Sequence, residues 1–419
     1  MGERAVLLSV PQLQGRHVTP GGLASLERVA RRGGTTSMEL AFPGLAASAF
    51  TTLVTGVGAN QHGILGTRYY DRERQEMVKA PIPDSAVEAP PVWRRLREAK
   101  PNARTMLWFP PTGIGGDVDF GAWLEGDGRL RTRPGPLGEE LESRIGPFPM
   151  TSPGQEPQRL AANLWMLRSA ALVIAENKPD LAIVRVPYMG QIARRYGPDG
   201  RQAGRAVREL EEGLAPFLDK LGKDVAVFAA TETLVTPVNT VIRPNLVLRD
   251  LGLLELRASA GGGMEVDLEA SAAFAVTDDQ LCHIYLSERS QMGVVASAFA
   301  SESLEGMAGV ITSGRQKVLL GIDHPRTGDV VLVAQPDAWF APDWWSTPKE
   351  RPATDHLGLM RTSELGPTRE DQVQGSLGGP PPGPDYLGVL VSSDPPSAAG
   401  PCAEHQVERL LLGLFSTTA

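Results

Sequence analysis

Cysteine is almost absent from this chain. Cys282 and Cys402 are the only two in 419 residues, which leaves one disulfide possible but rules out a disulfide scaffold or a thiolate-rich metal cluster. Histidine is also sparse, with six residues scattered at 17, 62, 283, 324, 356 and 405. No apolar run approaches the ~20 residues that a spanning helix needs, so no membrane partner is expected. The opening AVLLSVPQL meets a proline and polar residues too early for a secretory leader, and a cytoplasmic soluble protein is the expectation. Excess positive charge is missing too: a formal charge of −8 argues against general nucleic-acid binding. No internal repeat, heptad run or long charge block interrupts the sequence.

What is present is an ordinary globular composition, 42% apolar and 21% charged, on a chain long enough for one large core or two domains. AVLLSV (5–10), LAIVRVPY (181–188) and DVAVFAA (224–230) are apolar without alternation, as strands covered on both faces tend to be. Helical patterns accompany them at 22–34, 159–178 and 201–222. Strands alternating with helices predict an α/β sandwich. QLCHIYL (280–286), QKVLLGI (316–322) and DVVLVAQ (329–335) read as further strands. Residues 108–158, rich in proline and glycine, suit a lid or wrapping insertion within a single domain spanning 1–419. GSLGGPPPGPDYLG (375–388) reads as a stiff surface linker.

Several ordered segments together resemble the alkaline phosphatase superfamily, in particular its type I phosphodiesterase/nucleotide pyrophosphatase branch. They are TTLVTGVGANQHGILG (51–66), VPYMGQIARRYGPDG (186–200), TETLVTPVNTVIRPNLVLRDLGLL (231–254) and VQGSLGGPPPGPDYLGVLVSSDP (373–395). The resemblance implies an alkaline-phosphatase-like three-layer α/β sandwich, with a mostly parallel central sheet and an inserted cap. It also implies hydrolysis of phosphate esters by a Thr or Ser nucleophile between two divalent metals, which neutralise the phosphoryl oxygens and lower the hydroxyl pKa.

Residue by residue, the resemblance carries no such centre. Where the family places its first Asp, this chain has Pro11, Gln12 and Leu13; the nucleophile position falls on Ala46, with Ser48 two residues along the helix start. The middle segment, expected to supply Asp and His, reads Tyr188, Met189, Gly190, Gln191. The adjacent Asp-His pair falls on Glu232 and Thr233, and the final His, within Gly-Ser-His-Gly, on Leu377. One surviving carboxylate cannot hold two dications. The expectation is a noncatalytic homologue without cofactor, serving as partner, scaffold or ligand-binding protein, its pocket lined by these residues. Its partner would be another protein or a small anion.

An active phosphoester hydrolase with a relocated zinc or manganese site is the competing expectation. Asp323, His324, Asp355 and His356 would form it if their two loops meet. Ser48 follows FPGLAA and lacks the Gly-x-Ser-x-Gly elbow of serine hydrolases, while TGVGANQHG and GGMEVDL lack dinucleotide and P-loop patterns. His62 reads as a turn-stabilising residue and His283 as a core one. Asp278 and Asp279 read as loop caps or solvent-facing residues. Trp339, Trp344 and Trp345 form either an aromatic cluster pinning a loop or an exposed platform for a partner. Arg194 and Arg195 are either helix-surface residues or an anion site.

Overall fold

The computed structural model describes residues 4–125, 128–149, 160–259, 263–300, 304–347, 350, 373–383, 386–394 and 401–416. Arg4–Val10 lies inside a nine-stranded sheet in the order Cys402–Ala403, Gly34–Glu39, Gly388–Ser392, Val225–Thr231, Arg4–Val10, Leu181–Arg185, Thr105–Trp108, Phe120–Leu124, Leu130–Arg133. The five strands from Val225–Thr231 to Phe120–Leu124 are mutually parallel. Gly388–Ser392 and Leu130–Arg133 run against their neighbours.

Both faces of this sheet are covered, which is why its strands are continuously apolar. Val6, Leu8 and Val10 pack with Leu26, Trp165, Leu210 and Leu214 on one face. Ala5 and Leu7 pack with Phe50, Leu53, Trp93, Leu96 and Leu411 on the other. Helices Ala24–Arg32, Leu160–Asn177 and Arg201–Asp219 thus form one outer layer, and Ala46–Thr55, Val92–Ala99 and Val407–Ser416 the other. The result is a three-layer α/β sandwich with a mostly parallel sheet. Register places Ser9 opposite Arg185 and Val10 opposite Thr231, so three loops leave the sheet together at one edge. Open α/β sheets generally bind ligands at such carboxyl ends.

A second, four-stranded antiparallel sheet joins Ala273–Asp278, Leu281–Leu286, Val330–Ala334 and Met307–Ile311 in that order. It has its own core, including Phe274, Val276, Ile284, Tyr285 and Leu332. This separate layer lies outside 108–158, the segment expected to form a lid. Over that segment, Phe120–Leu124 and Leu130–Arg133 extend the central sheet, while Phe109, Phe120 and Phe148 join its core. The prolines and glycines there serve connections; residues 126, 127 and 150–158 lie outside the described part.

Two further expectations change. QKVLLGI is not a strand, because Ser313 caps the helix Gly314–Leu319 by accepting from Gln316 N in a capping box. The start of the 375–388 segment is not a surface linker either, since Gly375–Ser376 pairs with Thr236–Pro237 and Leu377 is buried. Both cysteines are buried and free.

Candidate functional site

The site begins with Glu232, the residue after strand Val225–Thr231, whose side chain is 0% exposed. A buried carboxylate is costly unless paired and fully hydrogen-bonded. Arg185, the last residue of its strand, supplies the pairing: Nε donates to Oε2 and Nη2 to Oε1, each at 2.7 Å. Ser9 Oγ donates to Oε2 at 2.7 Å. The planar guanidinium matches the two carboxylate oxygens as a fork. A protein-borne cation therefore already neutralises Glu232.

Around this pair the other expected positions bring no carboxylate or imidazole. Gly190 lies against Pro11, and a Cβ on Gly190 would come within 2.6 Å of Pro11 Cβ. The two positions therefore fill each other's space. Leu377 sits in an apolar cluster with Leu45, Ala193 and Val235. Ala46 opens the helix Ala46–Thr55 half-buried, and Ser48 is buried one half-turn inside it.

Gln12 adopts a left-handed backbone, φ 66°. Its N–H donates to Thr233 O at 2.7 Å, and its side-chain Oε1 accepts from Val235 N at 2.7 Å. The second bond fixes which amide atom is oxygen. Gln12 Nε2, Thr233 Oγ1 and Gln191 Oε1 are buried without a hydrogen-bond partner. These atoms are polar but uncharged, so they do not amount to a dication cage. The residues present do not fit the metal pair that the resemblance implies.

Glu404 adds a second carboxyl that the sequence did not single out. It is buried; Oε2 accepts from Ala41 N at 2.7 Å, while Oε1 has no partner. Burial, with repulsion from Glu232, pushes it well above the usual carboxylate range, which favours the neutral acid. Ser9 and Arg185 were missed as well. Their signal is a polar residue inside an apolar run, AVLLSV and LAIVRV, where only a buried partner justifies it.

His62, His283 and His324 each make contacts within the fold. His62 Nδ1 accepts from Ile64 N at 3.1 Å, so Nε2 carries the proton toward Thr52 Oγ1 at 3.1 Å. His283 Nδ1 accepts from Gly328 N at 3.2 Å. Burial lowers both imidazoles to about 3. His324 turns to Glu88 at 3.1 Å and Asp323 to Asn60 at 3.1 Å. Asp355 and His356 lie outside the described residues. Among the described residues no three His, Cys, Asp or Glu side chains are grouped to hold a metal.

The two surface candidates are also placed differently from an exposed platform. Trp339, Trp344 and Trp345 are all buried; Trp344 and Trp345 meet edge to face, their centroids 5.6 Å apart. The apolar area of Trp344 and Trp345 is spent on the second core. Arg194 donates to Asp279 at 2.7 Å, and Arg195 stacks over Tyr196 at 5.3 Å. Asp278 and Asp279 are buried rather than solvent-facing; Asp278 accepts from Thr67 N and Oγ1, both at 2.5 Å.

A sequence model of the type I phosphodiesterase/nucleotide pyrophosphatase family matches residues 5–358. The chain belongs to that family. Solved structures of the same fold cover nearly the whole chain. Phosphonoacetate hydrolase from Sinorhizobium meliloti 1021, in complex with phosphonoformate, is 14% identical with a TM-score of 0.62, over 98% of this chain and 95% of its own. Murine ectonucleotide pyrophosphatase/phosphodiesterase 5 is 13% identical with a TM-score of 0.66, over 99% and 96%. The human protein of that name gives the same values. At such identity the likeness establishes the alkaline-phosphatase-like fold. No curated protein sequence matches the chain. Among the described residues, no helix of this family member is long and apolar enough to cross a membrane.

Proposed function

We propose that this phosphodiesterase/nucleotide pyrophosphatase homologue is noncatalytic and works through binding, as a partner or scaffold protein. The observation that carries this reading is the saturation of Glu232 by Arg185 and Ser9. Two-metal phosphoryl transfer needs carboxylates and imidazoles free to neutralise dications. Here the acid is already neutralised, and Pro11, Gly190, Ala46 and Leu377 bring neither ligand nor nucleophile. A centre whose acid is already paired suits a protein that uses its fold for recognition.

Metal analysis after incubation with zinc or manganese tests the reading, together with turnover of aryl phosphate mono- and diesters with and without chelator. The expected result is neither tight metal nor chelator-sensitive hydrolysis. Two tightly bound ions per chain, or robust turnover abolished by chelator, would overturn it in favour of an active hydrolase.

A further inference from the structure

Strand Met307–Ile311 ends the second sheet. It pairs with Val330–Ala334 on one side, and among the described residues no strand pairs with its other side. Both of its faces are covered. Met307 and Val310 pack with Leu332 and Ala334 in one core, while Ile311 packs with Val331 and Val333 in another. The bulge between Met307 and Gly309 is what turns Met307 and Val310, three apart, to the same face. What stays open is the edge itself. Ala308 is exposed, and a Cβ on Gly309 would meet nothing within 4 Å.

Sheet edges are commonly blunted by lysine, proline or inward-pointing charge. Here residues 307–314, MAGVITSG, carry no charge and no proline. The charges stand at the two ends. Glu305 precedes the strand and Arg315 lies in the first turn of helix Gly314–Leu319, both exposed, with Val310 midway between them in sequence. Beyond Arg315, Val318 is 58% exposed and Leu319 76%. We infer that this edge binds the same edge of a second copy of the chain, antiparallel about a two-fold axis at Val310. Antiparallel pairing of identical strands sets the acidic end of one beside the basic end of the other, so Glu305 of each copy meets the partner's Arg315. Parallel pairing would instead set like charges together at both ends. The bulge leaves only a short flat ladder, so the end charges fix its register. Val318 and Leu319 add apolar area beyond the basic end, where the other copy enters its strand. Isologous pairing consumes both open edges, which gives a closed dimer rather than a filament. The inference goes beyond the noncatalytic reading and holds for either state of the centre, since no residue around Glu232 takes part.

Sedimentation velocity of the full chain, from low to high micromolar concentration, tests it. Wild type should pass reversibly from monomer to dimer, and added salt should weaken the dimer by screening the end charges. Glu305→Arg and Arg315→Glu should each weaken it about tenfold or more, because like charges then meet at both ends. An equimolar mixture of the two variants should associate as wild type does, since the mixed pair sets opposite charges together again. Both positions are exposed, and recovery in the mixture reads pairing rather than folding. Hydrogen exchange at the outward amides of Met307–Ile311 should slow as the dimer forms. A chain that stays monomeric throughout, a dimer indifferent to the single variants, a mixture no more associated than its components, or unchanged exchange at this edge overturns the inference.

Discussion

Arg185 and Glu232 meet through two parallel hydrogen bonds of 2.7 Å, and the acid has no exposed surface. Breaking one side of such a pair strands a charge in the interior. Arg185→Met should therefore cost about 3–5 kcal/mol. Replacing both partners, in Arg185→Met with Glu232→Met, should recover much of that loss, because two apolar groups need no compensation. Denaturant unfolding of the two singles and the double gives the coupling directly. A double variant no more stable than the Arg185 single would show that the pair does not act as a closed unit.

Pro11 and Gly190 form a second complementary pair. Alanine at Gly190 improves helix propensity by roughly 1 kcal/mol, but its Cβ would lie 2.6 Å from Pro11 Cβ. The clash should win, giving a net loss of about 1–3 kcal/mol. Pro11→Gly removes the opposing carbon, so Gly190→Ala in that background should cost nothing or stabilise. Unfolding midpoints of the four proteins in the cycle decide it.

The framework was legible because its signals are local. The unalternating run AVLLSV announces a strand covered twice, and the helix accompanying each strand appears as a 3.6-residue pattern. The absence of a hydroxyl, carboxylate or imidazole at Ala46, Gly190 and Leu377 carries meaning only within the family frame that the resemblance supplies. The compensations were not legible, because they join residues far apart in sequence: Ser9 with Glu232, Pro11 with Gly190, Arg194 with Asp279. Nothing local distinguishes an arginine that replaces a metal's charge from one on a surface. For a similar reason the sequence left the tryptophans open between a pinning cluster and a platform, since burial of Trp344 and Trp345 in the second core depends on strands far earlier in the chain.

Glu404 should make stability fall on the alkaline side. Burial holds its folded pKa well above 4.5, so below that value both folded and unfolded chains are protonated and nothing is lost. Above it the unfolded chain ionises first, and stability is lost progressively as pH rises toward the folded pKa. Glu404→Gln keeps an oxygen for Ala41 N–H and removes the ionisation. The variant should gain Tm over wild type, with a gain that grows from about pH 4.5 upward. A pH-independent difference would show that Glu404 does not carry this linkage.

His62 and His283 act in the opposite direction. Both are held at about 3 by burial, against 6.5 in an unfolded chain. Between those values the unfolded state binds the extra protons, so stability falls as pH drops from about 6.5 toward 3. Imidazole resonances followed by NMR should show neither ring titrating in folded protein until near pH 3 or until acid unfolding intervenes. A ring titrating near 6.5 while the fold persists would contradict the buried neutral state.

On the noncatalytic reading, placing a hydroxyl at position 46 alone should not produce hydrolysis. Ala46 sits half-buried at the first position of its helix, where a threonine can be accommodated. A hydroxyl becomes a phosphoryl nucleophile only when a neighbouring charge lowers its pKa and the leaving oxygen is stabilised. In this centre the positive charge of Arg185 is already committed to Glu232, and Pro11, Gly190 and Leu377 offer no side-chain lone pair. Ala46→Thr should therefore match wild type in aryl phosphate mono- and diester assays with zinc or manganese, with or without chelator. Chelator-sensitive turnover appearing in Ala46→Thr alone would mean that enough of the metal centre survives for one missing hydroxyl to have silenced it.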